Sequence, residues 1–148
     1  MLSELQIGYL AGILDGEGQV SVVRQKRSDA KRKRAYGLRT EVRVTQRRRI
    51  LLSTILDWTG SENATITSTG LGGKFFQLRF KAQWLRDNLP IIAPHLILKR
   101  RQADIVIEFL GQPARVGRNG VGDEAWNKRD ALRAECHALN ADRTNALT

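Results

Sequence analysis

The stretch Tyr9-Leu10-Ala11-Gly12-Ile13-Leu14-Asp15-Gly16-Glu17-Gly18 decides how the rest of the chain is read. Leu5, Tyr9, Leu10, Ile13 and Leu14 recur at helical spacing, and Ser3 followed by Gln6 forms a capping-box pattern, so the spacing predicts a helix over about 4–15. Gly8, Gly12 and Gly16 fall every four residues and line one side of that helix. They leave its backbone bare enough for a second helix to approach closely. Past the expected end, Asp15 and Glu17 flank Gly16, whose carbonyl is expected to be free of helical bonding; oxygen donors of this kind suit a hard divalent cation such as Mg²⁺. The same residues also fit a buried helix with a glycine-rich stop and two solvated acids, and periodicity alone leaves both readings open.

Working outward, the texture changes from Gln19 to alternation. Val20 and Val22 oppose Gln19, Ser21 and Gln25; after a basic loop, Leu38, Thr40, Val42 and Val44 oppose Arg39, Glu41 and Arg43. Helical spacing resumes over about 49–59, with Gly60 as a stop. A second pair of strands is expected at 65–69 and 74–81 around Gly70-Leu71-Gly72-Gly73, with Phe76, Leu78 and Phe80 inward and Gln77 and Arg79 outward. Three helices complete the chain: a short one over 83–89 stopped before Pro90, one over 98–110, and, after a loop, an amphipathic one over 123–139 with Ala125, Leu132, Cys136 and Leu139 on its apolar side. The order αββαββααα reads as an α+β fold, an antiparallel sheet backed by helices. All 148 residues form one domain, with a core over about 1–110 and a C-terminal helical extension over about 111–148.

Charge narrows the function classes. The chain carries 25 Lys and Arg against 15 Asp and Glu, a net of +10. Residues 1–110 hold +9 of this and residues 111–148 only +1. Such an excess faces a polyanion, and nucleic acid is the natural one, because neutralising phosphates releases condensed counterions. An anionic membrane competes less well, since the basic residues fall on strand-like segments and not on one amphipathic helix. No window approaches the roughly 18–20 apolar residues of a membrane span, so no membrane partner is expected. The N-terminus shows neither basic leader nor cleavage site, which argues against secretion and leaves localisation open between organelle and bacterium. Cys136 is expected to be a buried, inert thiol, and His95 and His137 form no zinc cluster. Acyl transfer has no visible apparatus.

The nine residues Leu10 to Gly18 resemble the signature of the LAGLIDADG homing endonucleases and occur once here. The order of elements, Val44-Thr45-Gln46, the segment Leu98-Lys99-Arg100-Arg101-Gln102-Ala103 and Leu139-Asn140 are also similar to that family. They place the chain nearest the homodimeric branch encoded in group I introns of organellar ribosomal RNA genes. The resemblance implies an αββαββα core with a saddle-shaped sheet. It also implies a homodimer that cuts both strands of a long pseudo-palindromic DNA target with Mg²⁺, Ca²⁺ supporting binding but little turnover. Position by position, it makes Glu17 the metal-ligating acid and the Gly16 carbonyl a second ligand. Gln46 would position a water, and Lys99 would stabilise charge on the scissile phosphate with Arg48 as second cation. Gly8, Ala11 and Gly12 fall in the dimer seam. Most members carry aspartate where Glu17 stands, and the interval from Gln46 to Arg48 is shorter than in relatives.

Recognition is expected from outward strand positions, because an antiparallel ribbon in the major groove presents alternate side chains to base edges. Those are Gln25, Arg39, Glu41, Arg43, Thr67, Gln77 and Arg79, with Arg suited to guanine, Gln to adenine and Glu41 to cytosine. Lys26, Arg27, Lys31, Arg32, Lys33 and Arg34 are expected to hold phosphates. The rival reading is a protein of the same type that binds nucleic acid without cutting it, an RNA maturase or a DNA-binding regulator.

Overall fold

Ser3 caps the first helix reciprocally: its hydroxyl accepts the Gln6 N–H at 3.2 Å, and Gln6 Oε1 accepts the Ser3 N–H at 3.0 Å. The computed structural model describes residues 1–26, 36–112 and 122–142. Helix α1 (Glu4–Glu17) runs beyond the expected stop, through Asp15 and Gly16 to Glu17. It ends at Gly18, whose N–H bonds the Leu14 carbonyl. A Cβ at Gly18 would lie 2.7 Å from Leu14 Cα, so the chain passes from helix to strand at a residue that has none.

Strands β1 (Gly18–Lys26), β2 (Tyr36–Gln46), β3 (Ala64–Thr69) and β4 (Phe75–Phe80) form one antiparallel sheet in the order β1-β2-β4-β3. Alternation sorts its faces as the sequence predicts. Val20, Val22, Val42, Val44, Leu78 and Phe80 are buried on one side, against Leu10 and Leu14 of α1 and the apolar faces of α2 (Arg49–Thr59), α3 (Ala82–Ile92) and α4 (Arg100–Gly111). Each fully buried aliphatic side chain contributes about 1.5–3 kcal/mol, and this layer holds the sheet to its helices. Helix α5 (Asp123–Ala141) packs on β1 and α4. Its buried side includes Arg129 as well as Leu132 and Cys136; the Arg129 guanidinium lies 4.0 Å from the centre of the Phe109 ring. The thiol of Cys136 is buried, as expected, and burial pushes its pKa up.

Two further helix boundaries move for reasons of packing. Helix α3 carries Pro90 inside it and continues to Ile92, because Leu89 and Ile92 are both fully buried and one missing backbone bond costs less than exposing that turn. Helix α4 starts at Arg100 and not at Leu98, since the N–H groups of Ile97, Leu98 and Lys99 are drawn to the side chain of Asp15. No helix among the described residues is long and apolar enough to cross a membrane.

Candidate active site and nucleic-acid interface

The last turn of α1 carries two acids in different environments. Asp15 accepts three backbone N–H groups, from Ile97 at 2.7 Å, Leu98 at 3.1 Å and Lys99 at 3.0 Å. Lys99 answers from the other side: its Nζ donates to the carbonyls of Leu14 at 2.7 Å and Asp15 at 2.9 Å. Asp15 thus clamps the lead-in to α4, and Lys99 caps the end of α1. Burial lowers the pKa of the Lys99 ammonium, with the Asp15 charge offsetting part of the effect. Glu17 lies two residues beyond Asp15, exposed, its side chain making no hydrogen bond or ion pair to any described residue.

Sheet register brings the other expected site residues to the same end of the molecule. Gly18 pairs with Val44, so Glu17, the helical residue before it, lies at the Thr45–Gln46 end of β2. Gln46 has the helix-side parity of Val42 and Val44 and faces Phe76 across the ladder. Arg48 is the exposed residue preceding α2 and makes no capping bond. An exposed carboxylate with no competing cation among the described residues, next to a helix-terminal carbonyl at Gly16, is a donor set a Mg²⁺ ion accepts, since that ion keeps several waters and takes one or two carboxylates. Among the described residues one chain brings a single unpaired carboxylate to this place, and no group of three acids, histidines or cysteines comes together.

The exposed face of α1 differs from the expected one at one position. Ala11 is 2% exposed and belongs to the chain's own core, so it is unavailable to a partner. The outer face is built instead from Leu5, Gly8, Tyr9, Gly12 and Gly16, all exposed, and a Cβ at any of the three glycines would meet nothing within 4 Å. Leu5 and Tyr9 are exposed apolar side chains on this same face.

On the outward sheet face the seven expected positions do share one side, because Gln25, Arg39, Glu41, Arg43, Thr67, Gln77 and Arg79 keep one parity through all three ladders. Glu41 does not stand ready to accept from cytosine. Its carboxylate is buried beneath Arg39, Arg43 and Arg79, which it pairs at 3.8, 3.3 and 3.0 Å. Gln77 is also largely buried, accepting from Arg79 at 3.2 Å. Lys26 is exposed, whereas Arg27, Lys31, Arg32, Lys33 and Arg34 lie outside the described residues. Arg24, at the root of that basic segment, is held by Asp130 of α5 at 3.1 Å. Two participants escaped the sequence reading. Gln19 braces Arg43 at 2.9 Å and was legible from its parity; the Asp15 clamp has no local signal.

No family model and no curated protein matches the sequence. Solved structures do. Homing endonuclease I-CvuI, in complex with the I-CreI target and Mg, superposes with a TM-score of 0.76 at 19% identity over 92% of this chain and 82% of that one. The archaeal intron-encoded homing endonuclease I-Vdi141I, complexed with DNA, gives 0.74 at 20% identity over 92% and 84%. Homing endonuclease I-TnaI gives 0.68 at 17% identity over 90% and 92%. The chain has the LAGLIDADG homing endonuclease fold. Within this fold the Leu10–Gly18 motif occupies the end of α1, and the polar sheet face lies on the side away from the helices. I-CvuI has been solved on DNA with Ca as well as with Mg.

Proposed function

We propose that this protein is a site-specific, divalent-metal-dependent DNA endonuclease that acts as a homodimer and hydrolyses both strands of a duplex. The observation that carries this reading is the contrast at the end of α1: Asp15 accepts three backbone N–H groups, while Glu17 is exposed and unpaired among the described residues. A carboxylate kept free beside a rigid helix end is available to a ligand. Glu17 and the Gly16 carbonyl would hold the ion. When bound, Mg²⁺ supplies charge neutralisation at the phosphate and acidifies a water.

The chain's own residues do the rest. Gln46, at the end of β2, can orient a water by hydrogen bonding, and the Asp15–Lys99 clamp fixes the height and direction of the helix end that carries Glu17. Packing the bare glycine faces of two α1 helices across a two-fold axis would bring two Glu17 side chains together, one for each DNA strand. The polar sheet face, rich in Arg and Gln, would lie in the major groove, and the basic segment before β2 would hold phosphates. The fold neighbours on DNA support this placement.

One observation favours the alternative, a protein of this fold that binds nucleic acid without cutting. Lys99 spends two ammonium hydrogens on α1 carbonyls, which leaves it poorly placed to meet a phosphate directly. Glu17→Gln decides between them. It preserves size while removing the charge that would hold the metal, so binding to a selected duplex should persist as Mg²⁺-dependent cleavage collapses. Equal cleavage by wild type and variant overturns the assignment of Glu17. No cleavage by wild type with Mg²⁺, with selective binding intact, establishes the non-cleaving reading.

A further inference from the structure

The outward sheet face holds one acidic side chain among three arginines, and the acid is the buried member. Glu41 is 7% exposed, and its Oε1 lies 3.0 Å from Arg79 Nη2, 3.3 Å from Arg43 Nη1 and 3.8 Å from Arg39 Nη2. Arg39 and Arg43 sit two residues either side of Glu41 on β2, and Arg79 faces Arg43 across the β2–β4 ladder. Neighbours brace two of them: Arg43 Nε donates to Gln19 Oε1 at 2.9 Å and Arg79 Nη2 to Gln77 Oε1 at 3.2 Å.

One carboxylate cannot neutralise three guanidinium groups, so the cluster keeps excess positive charge at fixed spacing. Two of the arginines also keep unused donors among the described residues: Nη2 of Arg43, and Nε and Nη1 of Arg79. The Nε of Arg39 is buried without a partner, which makes Arg39 the least settled of the three. Exposed arginines ordinarily lose side-chain freedom when they bind, and a buried counter-ion that orders them beforehand lowers that cost.

We propose that Glu41 is a positioning residue that touches no base itself and sets the guanidinium forks of Arg39, Arg43 and Arg79 to read adjacent guanines through O6 and N7 in the major groove. This rests on the DNA-binding reading above.

Glu41→Gln in the full-length protein tests it, with binding measured by fluorescence anisotropy without Mg²⁺. The probes are a duplex selected from a random pool, its single-position variants and a random-sequence duplex. Loss of a negative charge should leave random-sequence affinity unchanged or raised, while preference for guanine at two or three adjacent positions per half-site falls by roughly tenfold each. Arg43→Lys and Arg79→Lys, which keep charge but lose the fork, should relax positions within that same run. Preference that survives intact in Glu41→Gln overturns the role of Glu41 and leaves DNA reading standing. A wild-type protein with no preference among duplexes overturns both. If Glu41→Gln fails to fold by circular dichroism, the lysine variants decide: weakening of all sequences alike makes these arginines phosphate contacts and overturns the proposal.

Discussion

The carboxylate of Asp15 accepts N–H groups from residues 82 to 84 positions further along the chain, and Lys99 from that same segment reaches back to the α1 carbonyls. Hydrogen bonds to a charged group are worth about 1.5–3 kcal/mol, and an amide in place of the carboxylate keeps only one acceptor oxygen. Asp15→Asn should therefore destabilise the protein by about 2 kcal/mol in urea unfolding, whereas Glu17→Gln should leave the midpoint where it was. Lys99 adds a pH signature. Burial lowers its folded pKa below the ordinary 10.5, so at alkaline pH under that value the unfolded chain binds more protons than the folded one. The contribution of Lys99 to stability thus rises with pH through that window, the neutral amine still having two N–H groups for two carbonyls. Thermal unfolding of wild type against Lys99→Met should show a gap that widens as pH increases; a constant gap would mean that the ammonium is not desolvated.

At the scale of elements, α2 is the helix whose limits the sequence predicts most closely, because Leu52 and Ile55 face the core at helical spacing and Gly60, at a φ of 93°, ends it in a conformation other residues avoid. Helix α3 misleads, since Pro90 reads locally as a stop while burial of Ile92 carries the helix past it. Helix α1 is legible at its start, where the capping box is local, and illegible at its end, where Gly18 and the Asp15 clamp decide. Its glycines separate into two kinds. Gly18→Ala puts a Cβ 2.7 Å from backbone and should cost several kcal/mol of stability. Gly12→Leu meets open space in the single chain. It should keep the monomer folded, with a gain of up to about 1 kcal/mol from helix propensity, while abolishing self-association. Urea unfolding of both variants and sedimentation equilibrium of Gly12→Leu check this, and a wild-type protein that stays monomeric at every concentration with and without DNA would remove the basis for a paired active site.

Across the whole molecule, the net charge of +10 would, in the DNA-binding function proposed above, set a sequence-independent affinity for any duplex. Replacing Lys31, Arg32, Lys33 and Arg34 with alanine should weaken binding to all sequences alike and flatten the dependence of affinity on salt, read as the slope of log affinity against log salt concentration. A variant that lost discrimination instead would make these residues base readers. Element order, the apolar and polar sides of the strands and the place of the motif were determined by the sequence itself, because each follows from periods of two or about four residues within one segment, and the charge follows from composition alone. Which acid of the motif stays free, what Lys99 touches, that Ala11 faces inward and that Glu41 gathers three arginines were decided only by the tertiary structure. Those facts depend on contacts such as Arg79 to Glu41, 38 residues apart, and Ile97 to Asp15, 82 apart. Local spacing carries no information about distances that the packing of sheet against helix alone creates.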